Sequence, residues 1–281
     1  MTYFIEPFRS NPFLLRALIA GNLVAISCGI IGSFTVLRGL AFIGDALGHG
    51  VLPGIAVAIL LGIPGIVGAA AGAVVMIAGI GWITRRSSLS SDTAIGLLFV
   101  AMLALGVVIV SRSDSFSGDI VQVLFGEVLG VSNQTIWIQL AATLLIAGAA
   151  AVCARPFLLL CVNPELAQVS GFSARRYHLI MLALIAVAVV TSFQTVGTML
   201  VFGMLIAPAG ASALFAHRIE QLMAGAALIG SVSVYTGLLL SYHYDLAAGA
   251  CIVLVAITIF FAFFFVKNVV LKSSQNSNVL I

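Results

Sequence analysis

Asp45 and His49 interrupt a long apolar run, RGLAFIGDALGHGVLPGIAVAILLG, from Arg38 to Gly62. On an α-helix a spacing of four puts both side chains on one face, one turn apart. A carboxylate and a neutral imidazole so placed can share a divalent cation, and oxygen and nitrogen donors suit zinc and manganese. They can equally hydrogen-bond to each other and lock one helix against a neighbour. Gly44, Gly48, Gly50, Pro53 and Gly54 surround the pair; residues of these types allow irregular backbone around a cavity, which favours a transport role. If the span begins near Leu40, Asp45 lies about 7 Å and His49 about 13 Å along its axis, near the middle of a core about 30 Å thick. Two donors do not complete a metal shell. Water, other helices or the same pair on a second copy could supply the rest, and incomplete ligation is what an ion in transit needs. Thr195, Thr198, Met204 and Ser212 are candidate helpers, each also accounted for by plain helix packing.

A second stretch, RPFLLLCVNPELAQVSGFSARRY from Arg155 to Tyr177, has the chemistry of a short helix between turns. Asn163 is a good N-cap. Pro164 suits the first helical position, where its missing N–H costs nothing. Glu165 falls at the positive end of the helix dipole, and Gly171 can end the helix in a left-handed conformation. A helix over about 164–170 is expected. Taken alone, it reads more simply as an ordinary interfacial connector.

The elements that carry these two stretches must lie in a bilayer. Charged residues make up 7% of the 281, against about 25% in soluble domains, too few to cover a water-facing surface. Apolar runs predict spans at 13–36, 40–62, 65–84, 93–111, 135–153, 178–193, 197–216, 221–241 and 246–266, nine within one. Runs this long without period-two alternation exclude a barrel. The expectation is one all-α transmembrane domain over 1–281, with a cytoplasmic segment at 156–176 and a short cytoplasmic tail at 267–281. The first apolar run reads as a true span, because a basic n-region and a small-residue cleavage site are missing before it.

Basic residues set the orientation. Arg38, Arg85 and Arg86, Arg155, Arg175 and Arg176, Arg218, and Lys267 with Lys272 all fall on one side if that side is cytoplasmic. The N-terminus and the acidic stretch with Asp114, Asp119 and Glu127 are then outside; Arg9 and Arg16 argue weakly against that N-terminal side. Two lysines and scattered arginines make no nucleic-acid surface. Cys28, Cys153, Cys161 and Cys251 form no C-x-x-C pair and read as small packing residues. Small residues four apart (Gly21, Ala25, Gly29; Gly68, Gly72) suggest close helix approach.

Three stretches together make a resemblance. GDALGHGVLPG at 44–54 is similar to the G-D-A-L-x-H-x-x-L-P-G signature of the permease family of ATP-binding-cassette importers for zinc, manganese and iron. NPELAQVSG at 163–171 resembles the coupling-helix motif of importer permeases, with Glu165, Ala167 and Gly171 at E-x-A-x-x-x-G spacing. VGTMLVFGMLIAPAGASALFA at 196–216 resembles the family's glycine-then-Pro-Ala span, with Pro208 and Ala209 matching. The resemblance implies a type II-like permease of about eight or nine helices in the bacterial inner membrane. It implies a homodimer resting on a separate cytoplasmic ATPase, and an extracytoplasmic metal-binding lipoprotein or periplasmic binding protein that delivers the ion.

By the same resemblance Asp45 and His49 lie on the metal path, and Asn163, Pro164, Glu165, Ala167 and Gly171 form the helix that docks on the ATPase. Gly44, Gly48, Pro53, Gly54 and Pro208 are then packing or gating positions. Asn163 stands where the family often has Asp, which removes a charge near the ATPase contact. No cofactor is expected to stay bound; the zinc or manganese is cargo. The chain lacks a G-x-x-x-x-G-K-[ST] loop, so ATP hydrolysis would belong to the partner. The alternative is a stand-alone secondary carrier or channel using Asp45 and His49 as a proton-coupled site. An intramembrane metalloenzyme would need more ligands and a general base, and H-E-x-x-H is absent.

Overall fold

A computed structural model describes residues 6–8, 10–111 and 130–277, with side chains for all of these except 194–196, 198, 199 and 270–277. The acidic stretch 114–127 and Arg9 lie outside the described residues. The regular elements are α1 (Pro12–Arg38), α2 (Ile43–Gly50), α3 (Leu52–Leu60), α4 (Gly65–Arg86), α5 (Ser91–Val110), α6 (Asn133–Val162), α7 (Pro164–Val169), α8 (Ala174–Ala213), α9 (Ile219–Tyr244) and α10 (Ala248–Ser277). Among the described residues eight helices are long and apolar enough to cross a membrane, α2 and α3 counting as one, and Leu200–Ala213 is a shorter apolar helix.

The shorter helix arises because α8 turns back on itself. Phe34 and Tyr177 both pack edge-on against Phe157, at 5.3 and 6.4 Å between centroids. Gln139 donates to both Ser27 and Ser192. The first limb of α8 therefore climbs from the level of Phe34 to that of Ser27 on α1. Leu205, thirteen residues beyond Ser192, has its carbonyl back against Gly32, and Ser212 donates to Leu222 at the start of α9. The reversal falls at Gly197, whose φ of 74° and ψ of 163° break the helix. Only glycine takes that conformation without strain. The predicted spans 178–193 and 197–216 are thus two limbs of a hairpin, and the second begins within the membrane.

Helix pairs fix the sides. Gly81 of α4 faces Leu179 at the start of α8. Lys267 donates to the Leu214 carbonyl at 2.6 Å. Arg38, Arg85, Arg86, Arg175, Arg176 and Lys267 therefore gather on one face, as the basic residues predicted. α6 runs on to Val162 without stopping at Pro156, so Arg155 and residues 156–162 belong to that helix and the connection begins later than expected. Packing on one side of the following turn, with Phe157 and Leu160 buried, holds the helix past the proline.

The small-residue stripes join helices within the chain. A Cβ on Gly29 would lie 2.8 Å from the Ala227 backbone nitrogen of α9, and one on Gly54 would lie 2.1 Å from the Gly68 carbonyl of α4. Such approach gives helices in lipid the van der Waals contact that holds them together. The paired span α2–α3 is 61% buried inside the chain, against 22% for α5 and 17% for α10. The Asp45–His49 helix therefore sits in the interior, while α5 and α10 present apolar outer faces.

Candidate functional site

α1 ends at Gly39, whose φ of 74° lets its N–H turn back to the carbonyls of Thr35 and Val36. A short turn follows and α2 starts at Ile43, with its N–H on the Leu40 carbonyl at 3.1 Å. The helix thus begins three residues later than predicted. Pro53 offers no N–H to the His49 carbonyl, and α2 and α3 meet at Val51. Gly44 faces Leu205 and Phe202, Gly50 faces the Met76 sulfur, and Gly54 lies backbone to backbone on Gly68. Gly48 and Pro53 are buried. These residues let α2 and α3 lie close to α4 and the second limb of α8.

His49 Nε2 and Asp45 Oδ1 are 3.4 Å apart, and the side chains are 13% and 34% exposed respectively. That separation is long for a strong charged hydrogen bond. It leaves both donor atoms within reach of one divalent ion placed between them. His49 Nδ1 is buried without a hydrogen-bond partner, and the Phe99 ring of α5 sits 6.0 Å away, centroid to centroid. The imidazole is thus held by packing, with one nitrogen toward the carboxylate. Among the described residues no group of three or more His, Cys, Asp or Glu side chains gathers, so any further donors come from elsewhere. His49 lies five residues beyond Gly44, and Gly197 five before Phe202. At 1.5 Å per residue His49 is about 7.5 Å along its helix from that contact, and Gly197 about 7.5 Å from Phe202 and about 12 Å from Leu205, which also faces Gly44, so the α8 turn lies at or beyond the depth of His49.

The helper candidates divide. The Thr195 and Thr198 side chains lie outside the described residues. Met204 is fully buried and packs toward Gly230 of α9, while Ser212 donates to the Leu222 carbonyl at 3.0 Å. Both serve helix packing. Pro208 is buried inside the second limb of α8.

In the second stretch singled out in the sequence, Asn163 is extended, and its Oδ1 accepts from the Glu165 N–H at 2.8 Å. Pro164 opens α7, Ala167 is its one buried residue, and Gly171 has a φ of 83°. The Phe172 N–H closes the turn on the Ala167 carbonyl at 2.9 Å. Glu165, Leu166 and Val169 are exposed, so α7 rests on Ala167 and offers its other faces outward. Sequence reasoning missed two features. Gln139, buried between Ser27 and Ser192, joins α6 to α1 and α8, and Arg38 donates through Nη1 to the Leu160 carbonyl. The second had a local sign, since the residue four beyond Leu160 is a proline.

Relatives agree with this architecture. The chain is 38% identical over 266 residues to the manganese transport system membrane protein MntC of Halalkalibacterium halodurans, covering 94% of this chain and 91% of that one. It is 36% identical over 254 residues to the chelated iron transport system membrane protein YfeD of Yersinia pestis, covering 89% and 84%. Among solved structures, PsaBC from Streptococcus pneumoniae in complex with Fab superposes with a TM-score of 0.85 at 33% identity, covering 96% of this chain and 98% of that one. The family model for the ABC 3 transport family matches residues 10–267. The chain is a multi-pass membrane protein and belongs to the ABC 3 transport family.

Proposed function

We propose that this chain is the membrane-spanning subunit of an ATP-driven importer of a divalent transition metal, and that its cargo is manganese. The observation that carries the reading is the Asp45–His49 pair, two metal donors 3.4 Å apart on one face of an interior helix. An unpaired charge at that depth costs about 2.5–3.5 kcal/mol on insertion scales, so such residues mark ion paths. Manganese is favoured because relatives named for manganese transport are 38% identical to this chain, and it accepts oxygen and nitrogen donors.

In this reading two copies form the path, each contributing Asp45 and His49, with water filling the remaining positions. An extracytoplasmic binding protein delivers the ion. A separate ATPase docks on α7 through Glu165 and its neighbours. Nucleotide-driven movement of α7 alternates access to the metal pair, and Pro208, Gly44, Gly48, Pro53 and Gly54 set the packing within which α2 and α8 shift.

The test is uptake of labelled manganese, zinc and iron(II) into proteoliposomes holding the permease with its ATPase and binding protein. Uptake of manganese above the other two, needing ATP and the ATPase, is expected. Uptake that persists without the ATPase would establish a stand-alone carrier instead. ATP-driven uptake of zinc or iron alone would retain the importer and reassign the metal.

A further inference from the structure

Two helix ends meet on the cytoplasmic side at Arg38, the last residue of α1. Arg38 Nη1 donates to the carbonyl of Leu160, near the end of α6. Helix α6 supplies that carbonyl with no donor of its own. The N–H four residues on would belong to Pro164, which has none, and the last backbone bond of α6 runs from Asn163 N–H to Leu159 at 2.9 Å. Leu160 is 1% exposed, and a buried carbonyl left without a donor is costly. Pro164, favourable as the first residue of α7, thus creates an acceptor, and Arg38 fills it from a position 122 residues away in sequence.

What lies on either side of this contact gives it meaning. Beyond Arg38 come the left-handed Gly39 and a short turn, then α2 with Asp45 and His49. Beyond Leu160 come the Asn163 cap and α7. Cys161 Sγ lies 3.6 Å from the Phe34 carbonyl, and the Phe34 and Phe157 rings pack edge-on. The ends of α1 and α6 are therefore joined at several points, with one charged donor among them. A rigid join is what carries displacement between elements that have two arrangements.

We propose that Arg38 is the positioning residue that links α7 to α2. It holds the inner end of the Asp45–His49 segment to the helix end from which α7 springs. A push on α7 then reaches the metal pair instead of being absorbed by bending between the two helices. The inference rests on the importer reading above and names the residue through which that reading is executed.

The experiment compares wild type, Arg38→Lys and Arg38→Met in proteoliposomes with the ATPase and binding protein. It measures assembly of the complex, ATP hydrolysis, manganese uptake, and hydrogen exchange of amides 40–50 with and without ATP. The Arg38→Met complex is expected to assemble and to keep hydrolysing ATP, while uptake per ATP falls by about tenfold or more, the scale of a lost charged hydrogen bond. Arg38→Lys, which keeps a charged donor, is expected to retain most of the uptake. The ATP-dependent change in exchange at 40–50 should be present in wild type and absent in Arg38→Met. Unchanged uptake per ATP in Arg38→Met would overturn the proposal. So would loss of assembly, or of hydrolysis and uptake in proportion, since Arg38 would then only hold the fold. Wild-type complex that takes up none of the three metals on ATP would instead overturn the importer reading.

Discussion

Two polar clusters among the described membrane helices differ in charge and in exposure. Gln139, Ser27 and Ser192 have no exposed surface, are neutral, and meet through hydrogen bonds of 3.3 and 3.4 Å. Asp45 and His49 include an ionisable carboxylate and an imidazole, are 34% and 13% exposed, and face each other across 3.4 Å with a buried His49 nitrogen unsatisfied. The first cluster joins three helices; its Gln139 Oε1 is also buried without a hydrogen-bond partner, but the arrangement is closed and neutral and has nothing to exchange with solution. The second is partly open and ionisable, as the proposed transit site would need to be. Polarity inside a membrane is therefore a weak sign of function by itself; ionisable groups with a partly open face are the stronger one.

That contrast can be broken in order of expected effect. Asp45→Asn replaces a carboxylate with a neutral, weaker amide donor and His49→Ala removes the imidazole; each should lower metal uptake by about 100-fold or more, given that even outer-shell changes cost about 10–100-fold, while the complex still assembles. Gly54→Leu forces carbon into the Gly68 backbone and should cost about 1–3 kcal/mol of stability, read as a lowered melting temperature in detergent, with uptake falling at least in proportion to the folded protein lost. Asn163→Ala removes the cap on α7 and should cost about 0.5–2 kcal/mol locally. It would appear as weaker ATPase binding, rescued by Asn163→Asp. Gln139→Leu should change stability by about 1 kcal/mol or less, in line with interhelical hydrogen bonds in lipid, and leave uptake intact. A Gln139→Leu variant that loses transport while staying folded would erase the distinction between the clusters.

The two regions also differ in why they could be read from sequence. α7 was legible almost to its ends because its causes are local: a cap, a proline at the first position, a glycine at the close. Asp45 and His49 were legible because spacing of four and helical geometry put them together without help from the rest of the fold. The start of α2 was misplaced by three residues because the turn depends on Gly39 closing α1, which apolar runs do not report. Arg155 was assigned to a loop because a charge and a proline usually end a span, whereas buried Phe157 and Leu160 carry α6 past both. The sequence separates spans 178–193 and 197–216, but that the break lies at Gly197 and that the second limb begins inside the membrane follow only from the backbone and the contacts with α1 and α9. Arg38 was read as an orientation marker, because its acceptor lies in a different helix.

The most direct measurement is ATP-dependent manganese uptake by the reconstituted complex carrying Asp45→Asn, beside wild type and Gln139→Leu. Uptake is expected to be lost in Asp45→Asn and retained in Gln139→Leu, with ATP hydrolysis present in both. Undiminished uptake in Asp45→Asn would contradict this and return the Asp45–His49 pair to a structural role.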